Sequence, residues 1–319
     1  MIPNIKICVI GAGPWGKNHI RTLNDMGYLH GIVDANKKQL DKIEGLNNEC
    51  LLFTDIEQTF DHNFDGYIIA TPVNSHYNIA KKLLEEAKNI LIEKPITMEL
   101  DHANEILLLA KKNNVFAMGG HLLLYHPAFI KMKELVDKGV IGKIKYIYSN
   151  RLNFGKIRTV ENALWSLAPH DISLFLLFAN SESFSTKYIG NSIVSTNNDD
   201  NSLSSFSFDN GIQGHIFVNW LHPFKEHRFV IIGEKGMLVF EDSREDKKII
   251  FYKKDVLIEK DHISMNDKGS ERIDFPNEMA LDSQLKYFIK SIIENSSDLS
   301  NLKLSINVVK ALEGLAINE

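Results

Sequence analysis

The chain has 319 residues, 44% of them hydrophobic and 24% charged, with a formal net charge of −5. That length suits two domains at roughly 100–200 residues each, and the composition is that of a globular protein. There is no basic block, so no electrostatic case exists for nucleic acid or an anionic membrane as partner, and no apolar run reaches the roughly 18 residues of a membrane span.

The N-terminal stretch "MIPNIKICVIGAG" lacks a basic segment and a small-residue cleavage site, so it reads as a strand rather than a signal peptide. Within it, Ile5–Ile10 is a β-branched run ending in glycine. A helical pattern follows from about Pro14 to Met26. Short apolar runs then end at Asp34, at Thr71-Pro72, at Glu93 and at Gly119-Gly120. Between them, Ile79, Ala80, Leu83, Leu84 and Ala87 recur at helical spacing, as do Leu100, Ala103, Ile106, Leu107 and Ala110. Short apolar strands alternating with amphipathic helices predict a doubly wound parallel sheet over residues 1–120. Cys8 and Cys50 lie in apolar contexts, and two isolated thiols of this kind fit a reducing, cytoplasmic compartment.

Beyond Gly120 the pattern changes. Helices are predicted over Ala128–Lys138 and Leu164–Phe178. Closely spaced β-like runs follow: Tyr188–Val194, Leu203–Phe208, Ile212–Trp220, Arg228–Ile232 and Met237–Phe240. "DNG" and "GEKG" punctuate them, as in an antiparallel sheet. "NSIVSTNNDDNS" is the most loop-like stretch, and helical patterns return at 278–294 and 302–316. Residues 121–319 therefore read as an α+β domain, and the chain as α/β overall.

Gly11, Gly13 and Gly16 form GxGxxG between a strand and a helix. In that context Gly11 permits a tight turn, Gly13 lets a pyrophosphate approach the backbone, and Gly16 lets the helix pack on the strand. The helix N-terminus offers free N–H groups, and Pro14 suits a first helical turn. The same residues fit the start of a P-loop, but Asn18 stands where that loop needs Ser or Thr. Asp34, 23 residues after Gly11, suits an adenosine ribose and repels a 2′-phosphate, which favours NAD over NADP or ATP. Lys37 and Lys38 soften that exclusion. Ligands of open parallel sheets bind beyond the carboxyl ends of the strands. Thr71, Pro72 and His76, then Glu93, Lys94 and Pro95, then His121 occupy those ends. Ser75 and His76 are equally placed to begin a helix, and Lys94 could be a solvated loop charge.

The ordered set GxGxWG, Asp34, "ATPVNSH", "EKP" and "GVIGKI" resembles the glucose–fructose oxidoreductase / inositol dehydrogenase / MocA (Gfo/Idh/MocA) family along nearly the whole chain. The resemblance implies a Rossmann domain, a C-terminal domain with a large open antiparallel sheet used for homodimers or homotetramers, and Lys94 as active-site lysine. Glu93 and Pro95 would belong to the loop that places the cofactor and Lys94, with Trp15 beside the cofactor. "RLNFGKIRTVENALWSLAPHDISLFLLF" is similar to the sugar-nucleotide branch, nearest to its UDP-N-acetylglucosamine 3-dehydrogenases. That implies a UDP-linked amino sugar as substrate and His170 as the active-site histidine, although Ser166 stands where the family has Asp. A helix cap beside Pro169 is the other role open to His170. Arg151, Asn153, Arg158, Trp165 and His121 would line the sugar-nucleotide pocket, with Arg151 or Arg158 on the pyrophosphate. Trp165 serves equally as core. Lys225 and Arg228 fit either the diphosphate or a surface ion pair. His19 reads as packing or support. No HExxH or CxxC pattern exists, and no metal is expected.

Overall fold

The computed structural model describes residues 5–46, 49–158, 161–194, 198–259 and 262–316. The chain divides into two compact units, one of residues 1–122 with 279–309, the other of 123–278 with 310–319.

In the first unit, β1 (Ile7–Ile10), β2 (Leu29–Val33), β3 (Leu51–Phe53), β4 (Gly66–Ile69), β5 (Asn89–Glu93) and β6 (Ala117–Gly120) form one parallel sheet in the order β3-β2-β1-β4-β5-β6. The helices are α1 (Gly16–Met26), α2 (Lys37–Leu40), α3 (His76–Glu85) and α4 (Leu100–Asn113). The helix expected from Pro14 begins two residues later, because Pro14 and Trp15 complete the turn. β3 was missed by the pattern: three residues, partly exposed, carry no readable period. The strand order reverses between β1 and β4, the switch point at which doubly wound sheets bind ligands.

Both faces of a parallel sheet must be covered. Helices α3 and α4 cover one face, where Leu83, Leu84, Ala103 and Ile106 join Leu302, Ile306 and Val309 in one core. Those last three lie on α9 (Ser300–Ala316). The other face takes α8 (Ala280–Ile293), whose Phe288 packs on Phe116 at 6.1 Å between ring centroids. Gly66 leaves room for Ile292 and Phe288. A division at residue 120 therefore misplaces 279–309, since the apolar stripe of α8 and the first turns of α9 close the first unit.

The second unit has an eight-stranded sheet. Its strands are β7 (Ile144–Phe154), β8 (Phe184–Asn191), β9 (Asn201–Phe208), β10 (Gln213–Asn219), β11 (Leu221–Gly233), β12 (Met237–Glu241), β13 (Ile249–Glu259) and β14 (His262–Ile273), in the order β14-β13-β12-β11-β7-β10-β9-β8. All neighbours are antiparallel except the β7–β10 pair. The five expected strands are present with shifted ends; β7, β13 and β14 were not foreseen, their apolar positions being interleaved with Lys, Asn, Asp and Arg. The loop expected over 191–202 joins β8 to β9, and its residues 195–197 lie outside the described residues.

Three helices line one face of this sheet: α5 (Pro127–Asp137), α6 (Ala163–Leu167) and α7 (Pro169–Ala179). The single helix expected over Leu164–Phe178 is two, because Pro169 has no N–H to continue α6 and instead opens α7. Phe129 and Phe175 seat α5 and α7 on Phe229 at 5.3 and 5.9 Å between ring centroids. On the opposite face, Tyr148 stacks on His215 and Tyr146 shares a 2.8 Å hydrogen bond with His215 Nδ1. Ile189 and Leu203 are exposed.

Candidate functional site

The glycine turn sits at the β1–β4 switch point. Gly11 has φ +100°, and a Cβ there would meet the Ala70 carbonyl at 2.7 Å. A Cβ on Gly16 would run into the Gly11 carbonyl oxygen. A Cβ on Gly13 would meet nothing within 4 Å. Two of the three glycines are thus required by the protein's own packing, and Gly13 leaves a bare backbone facing open space. Asp34 closes the turn from β2: Oδ2 accepts the Ala12 N–H and Oδ1 the Asn36 N–H, both at 2.8 Å. Each oxygen keeps a lone pair, so the carboxylate can still accept ribose hydroxyls.

At the end of β4 the Ser75 hydroxyl turns back to Pro72 O and Thr71 Oγ1, at 2.7 and 2.8 Å, instead of capping α3. His76 is buried; its Nδ1 lies 3.0 Å from Pro95 O and its Nε2 2.8 Å from Thr71 O. The ring braces the β4 loop against the β5 loop, and its nitrogens are already engaged. Burial lowers its pKa, against the pull of those carbonyls.

Glu93 ends β5. Oε1 lies 2.7 Å from His19 Nε2, Oε2 accepts the Lys94 backbone N–H at 3.1 Å, and the Trp15 side chain donates a further bond. Burial alone would raise the Glu93 pKa; these donors, with His19 first, bring it below the usual carboxylate value. The carboxylate lies across β6, where a Cβ on Gly120 would sit 3.1 Å from it. The Lys94–Pro95 peptide bond is cis. Immediately after β6, His121 has no exposed surface, and neither ring nitrogen has a hydrogen-bond partner among the described residues. Burial, with Glu93 and Lys94 as opposed lesser influences, lowers its pKa to about 4. The imidazole is therefore neutral, able to donate from one nitrogen and accept at the other.

In the second unit, β7 and α7 are tied by a buried ion pair. Arg151 Nε and Nη2 donate to Asp171 Oδ2 and Oδ1, at 2.5 and 3.1 Å. Arg151, expected on a pyrophosphate, is held by this carboxylate. His170 precedes Asp171 in the first turn of α7, and the Ser173 hydroxyl donates to the His170 carbonyl at 2.6 Å. Arg158 is half-exposed and pairs with Glu161 at 3.0 Å. Arg228 lies between Glu226 and Glu241, the ion-pair alternative of the two open for it. Trp165 sits half-buried on α6, capped through Asn162. Asn153 Oδ1 is buried without a partner among the described residues.

Sequence reading missed the Arg151–Asp171 pair, the His19–Glu93 bond and the half-buried His227. Burial first, then Arg151 and Lys225, lowers the His227 pKa to about 3. A signal existed for His19. It shares the buried stripe of α1 with Gly16, Ile20 and Leu23, and a polar group on an apolar stripe asks for a partner. Among the described residues no three His, Cys, Asp or Glu side chains converge as metal ligands, and no helix is long and apolar enough to cross a membrane.

Comparison with known proteins agrees with this geometry. The chain is similar to UDP-N-acetylglucosamine 3-dehydrogenase of Acidithiobacillus ferrooxidans, 24% identical over 64% of this chain and 63% of that protein, so the match spans under two thirds of the relative's length. A solved structure of an enzyme of that name from the same organism superposes with a TM-score of 0.84, at 19% identity, covering 98% and 97% of the two chains. Scyllo-inositol dehydrogenase from Lactobacillus casei, solved with NAD(H) and scyllo-inositol, superposes with a TM-score of 0.80, at 19% identity over 99% and 96%. Residues 5–121 match the oxidoreductase family with an NAD-binding Rossmann fold, and residues 129–239 match the GFO/IDH/MocA C-terminal domain. With both matches following each other along one chain whose glycine turn is open at Gly13, the chain belongs to the Gfo/Idh/MocA family of NAD-binding oxidoreductases.

Proposed function

We propose that the protein is an NAD-dependent dehydrogenase that oxidises the C3 hydroxyl of a UDP-linked N-acetylhexosamine such as UDP-N-acetylglucosamine. The observation that carries this reading is the similarity, in sequence and in fold alike, to UDP-N-acetylglucosamine 3-dehydrogenase. The product is a 3-keto sugar, a substrate for an aminotransferase in lipid A or surface-polysaccharide synthesis, and the setting is the cytoplasm. The open face of the second unit's sheet, with Tyr146, Tyr148, His215, Ile189 and Leu203, would carry a homodimer or homotetramer.

Gly11, Gly13, Pro14, Trp15, Gly16 and Asp34 would hold the adenosine and pyrophosphate half of NAD, with the loops at Thr71-Pro72 and Glu93-Lys94-Pro95 beside the nicotinamide half. Bound NAD supplies the hydride acceptor. The substrate's hydroxyl proton needs a base, and His170 has the ordinary chemistry for it. Lys94 would hydrogen-bond the same oxygen and stabilise developing alkoxide charge, or take the proton itself. Ser166 gives His170 no carboxylate at that position. What fixes the start of α7 instead is Asp171, gripped by Arg151. His121 is neutral but has no exposed surface to offer a sugar hydroxyl. Asn153, Arg158 and Trp165 would complete the substrate surface.

The test is purified protein with NAD and a panel of UDP-sugars, free hexoses and inositols, following NADH absorbance with an aminotransferase present to remove the keto product. Turnover of UDP-N-acetylhexosamines, lost in Lys94→Ala and His170→Ala, supports the reading. Turnover of inositol or hexoses alone would establish the polyol alternative, which the scyllo-inositol dehydrogenase likeness favours. NAD binding with a biological activity untouched by both substitutions would establish a non-catalytic, NAD-binding regulatory protein.

A further inference from the structure

Glu93 is a buried carboxylate at the end of β5. Its three donors come from two places in the sequence. His19 and Trp15 lie on the glycine turn and its helix, and the third donor is the backbone N–H of residue 94. The bond to residue 94 fixes the chain at the point where Lys94 leaves β5. A side chain on Gly120 of the neighbouring strand would crowd this carboxylate, its Cβ lying 3.1 Å from Oε1. His19 is itself fully buried, and its Nδ1 has no partner among the described residues. Through Nε2 it holds the same carboxylate that accepts the backbone N–H of residue 94.

We propose that His19 is a positioning residue: through Glu93 it sets the direction and the electrostatic surroundings of Lys94, and so couples the cofactor turn to the reacting group. The proposal rests on the reading of Lys94 as a group that touches substrate. Trp15 supports the same carboxylate from the turn itself. Reacting groups misplaced by about 1 Å can lose roughly 100-fold in rate, which is what such a support prevents.

Two readouts on the full chain test it. The first is steady-state turnover of UDP-N-acetylglucosamine with NAD. The second is competitive acetylation of Lys94 by trace acetic anhydride at neutral pH, read by peptide mass spectrometry against the exposed Lys112; it needs no turnover. In His19→Leu the carboxyl loses its strongest donor and burial drives it towards the protonated form, so the negative charge beside Lys94 weakens and the free-amine fraction of Lys94 rises. Lys94 acetylation should rise about ten-fold, the equivalent of one pKa unit. The value of kcat should fall at least about ten-fold, with KM for NAD within about three-fold. His19→Gln, which keeps an N–H donor, should stay within about three-fold of wild type on both measures. Unchanged or slower Lys94 acetylation in His19→Leu, or equal damage in His19→Gln, overturns the proposal. If His19→Leu does not fold, Trp15→Phe removes a donor from a part-exposed ring. Acetylation should then rise about three-fold, and no rise overturns the proposal. A wild type inactive on every sugar nucleotide refutes the proposed activity, while acetylation still decides the role of His19.

Discussion

His121 makes the fold sensitive to acid in a calculable way. Its pKa is about 4 in the folded protein against 6.5 in the unfolded chain, and burial is the main cause. A depressed histidine stabilises the fold fully above the unfolded value, and this contribution is lost as pH falls through 6.5 towards 4. Between pH 7 and pH 5 the unfolded chain takes up most of a proton at this position, and the folded chain about a tenth of one. The difference destabilises the protein by about 2 kcal/mol. Urea unfolding of wild type and His121→Leu at both pH values, followed by circular dichroism, isolates this contribution, because other titrating groups such as His76 cancel in the subtraction. Wild type should lose about 2 kcal/mol relative to the variant on going to pH 5, a divergence of midpoints of roughly 0.7 M urea for a slope of about 3 kcal/mol/M. A difference between the two proteins that is the same at both pH values would refute the buried, neutral His121.

The two kinds of glycine in the turn should separate experimentally. Gly13→Ala has room for its methyl and should melt within about 2 °C of wild type while NAD affinity, measured by calorimetry, falls at least about ten-fold; Gly16→Ala collides with the Gly11 carbonyl and should lose about 3 kcal/mol or fail to fold. Asp34→Ser releases the Ala12 amide and removes the carboxylate, so NAD binding should weaken about ten-fold while the ratio of NADP to NAD affinity rises. Breaking the buried pair from one side, as in Asp171→Asn, should cost about 3–5 kcal/mol in chemical denaturation, whereas Arg151→Met with Asp171→Leu should cost much less.

The first unit was legible because its signals are local. Gly11, Gly13 and Gly16 and the strand ends at Asp34, Glu93 and Gly120 all follow from spacing. Pro169 marked the break between α6 and α7, but the apolar residues on either side of it formed one periodic stripe and hid it. β7 was hidden differently. It is one of the sheet's two central strands, yet Arg151 and Asn150 point to partners supplied by α7 and β11, so its polar residues read as loop. His19 and Glu93 are 74 residues apart, and the Arg151–Asp171 pair joins a strand to a helix. Such pairs depend on which elements become neighbours, and no local period encodes that. The helices of the last forty residues were visible as helices, but not the sheet they cover.

That last point bears on how the protein is made. Gly119 donates its N–H to Asn301 Oδ1 at 2.8 Å across 182 positions of sequence, and Phe288 and Ile292 lie on Gly66. All of the first unit's strands and its glycine turn leave the ribosome well before the helices that cover them. At roughly 5–20 residues per second, the interval between residues 122 and 279 is on the order of 10–30 s. Throughout it the nascent sheet carries a bare apolar face around Ile7, Gly66 and Phe116, the kind of surface that chaperones bind. A chain stopped after residue 278 would hold every loop of the cofactor half and still lack the cover that lets its sheet persist in water.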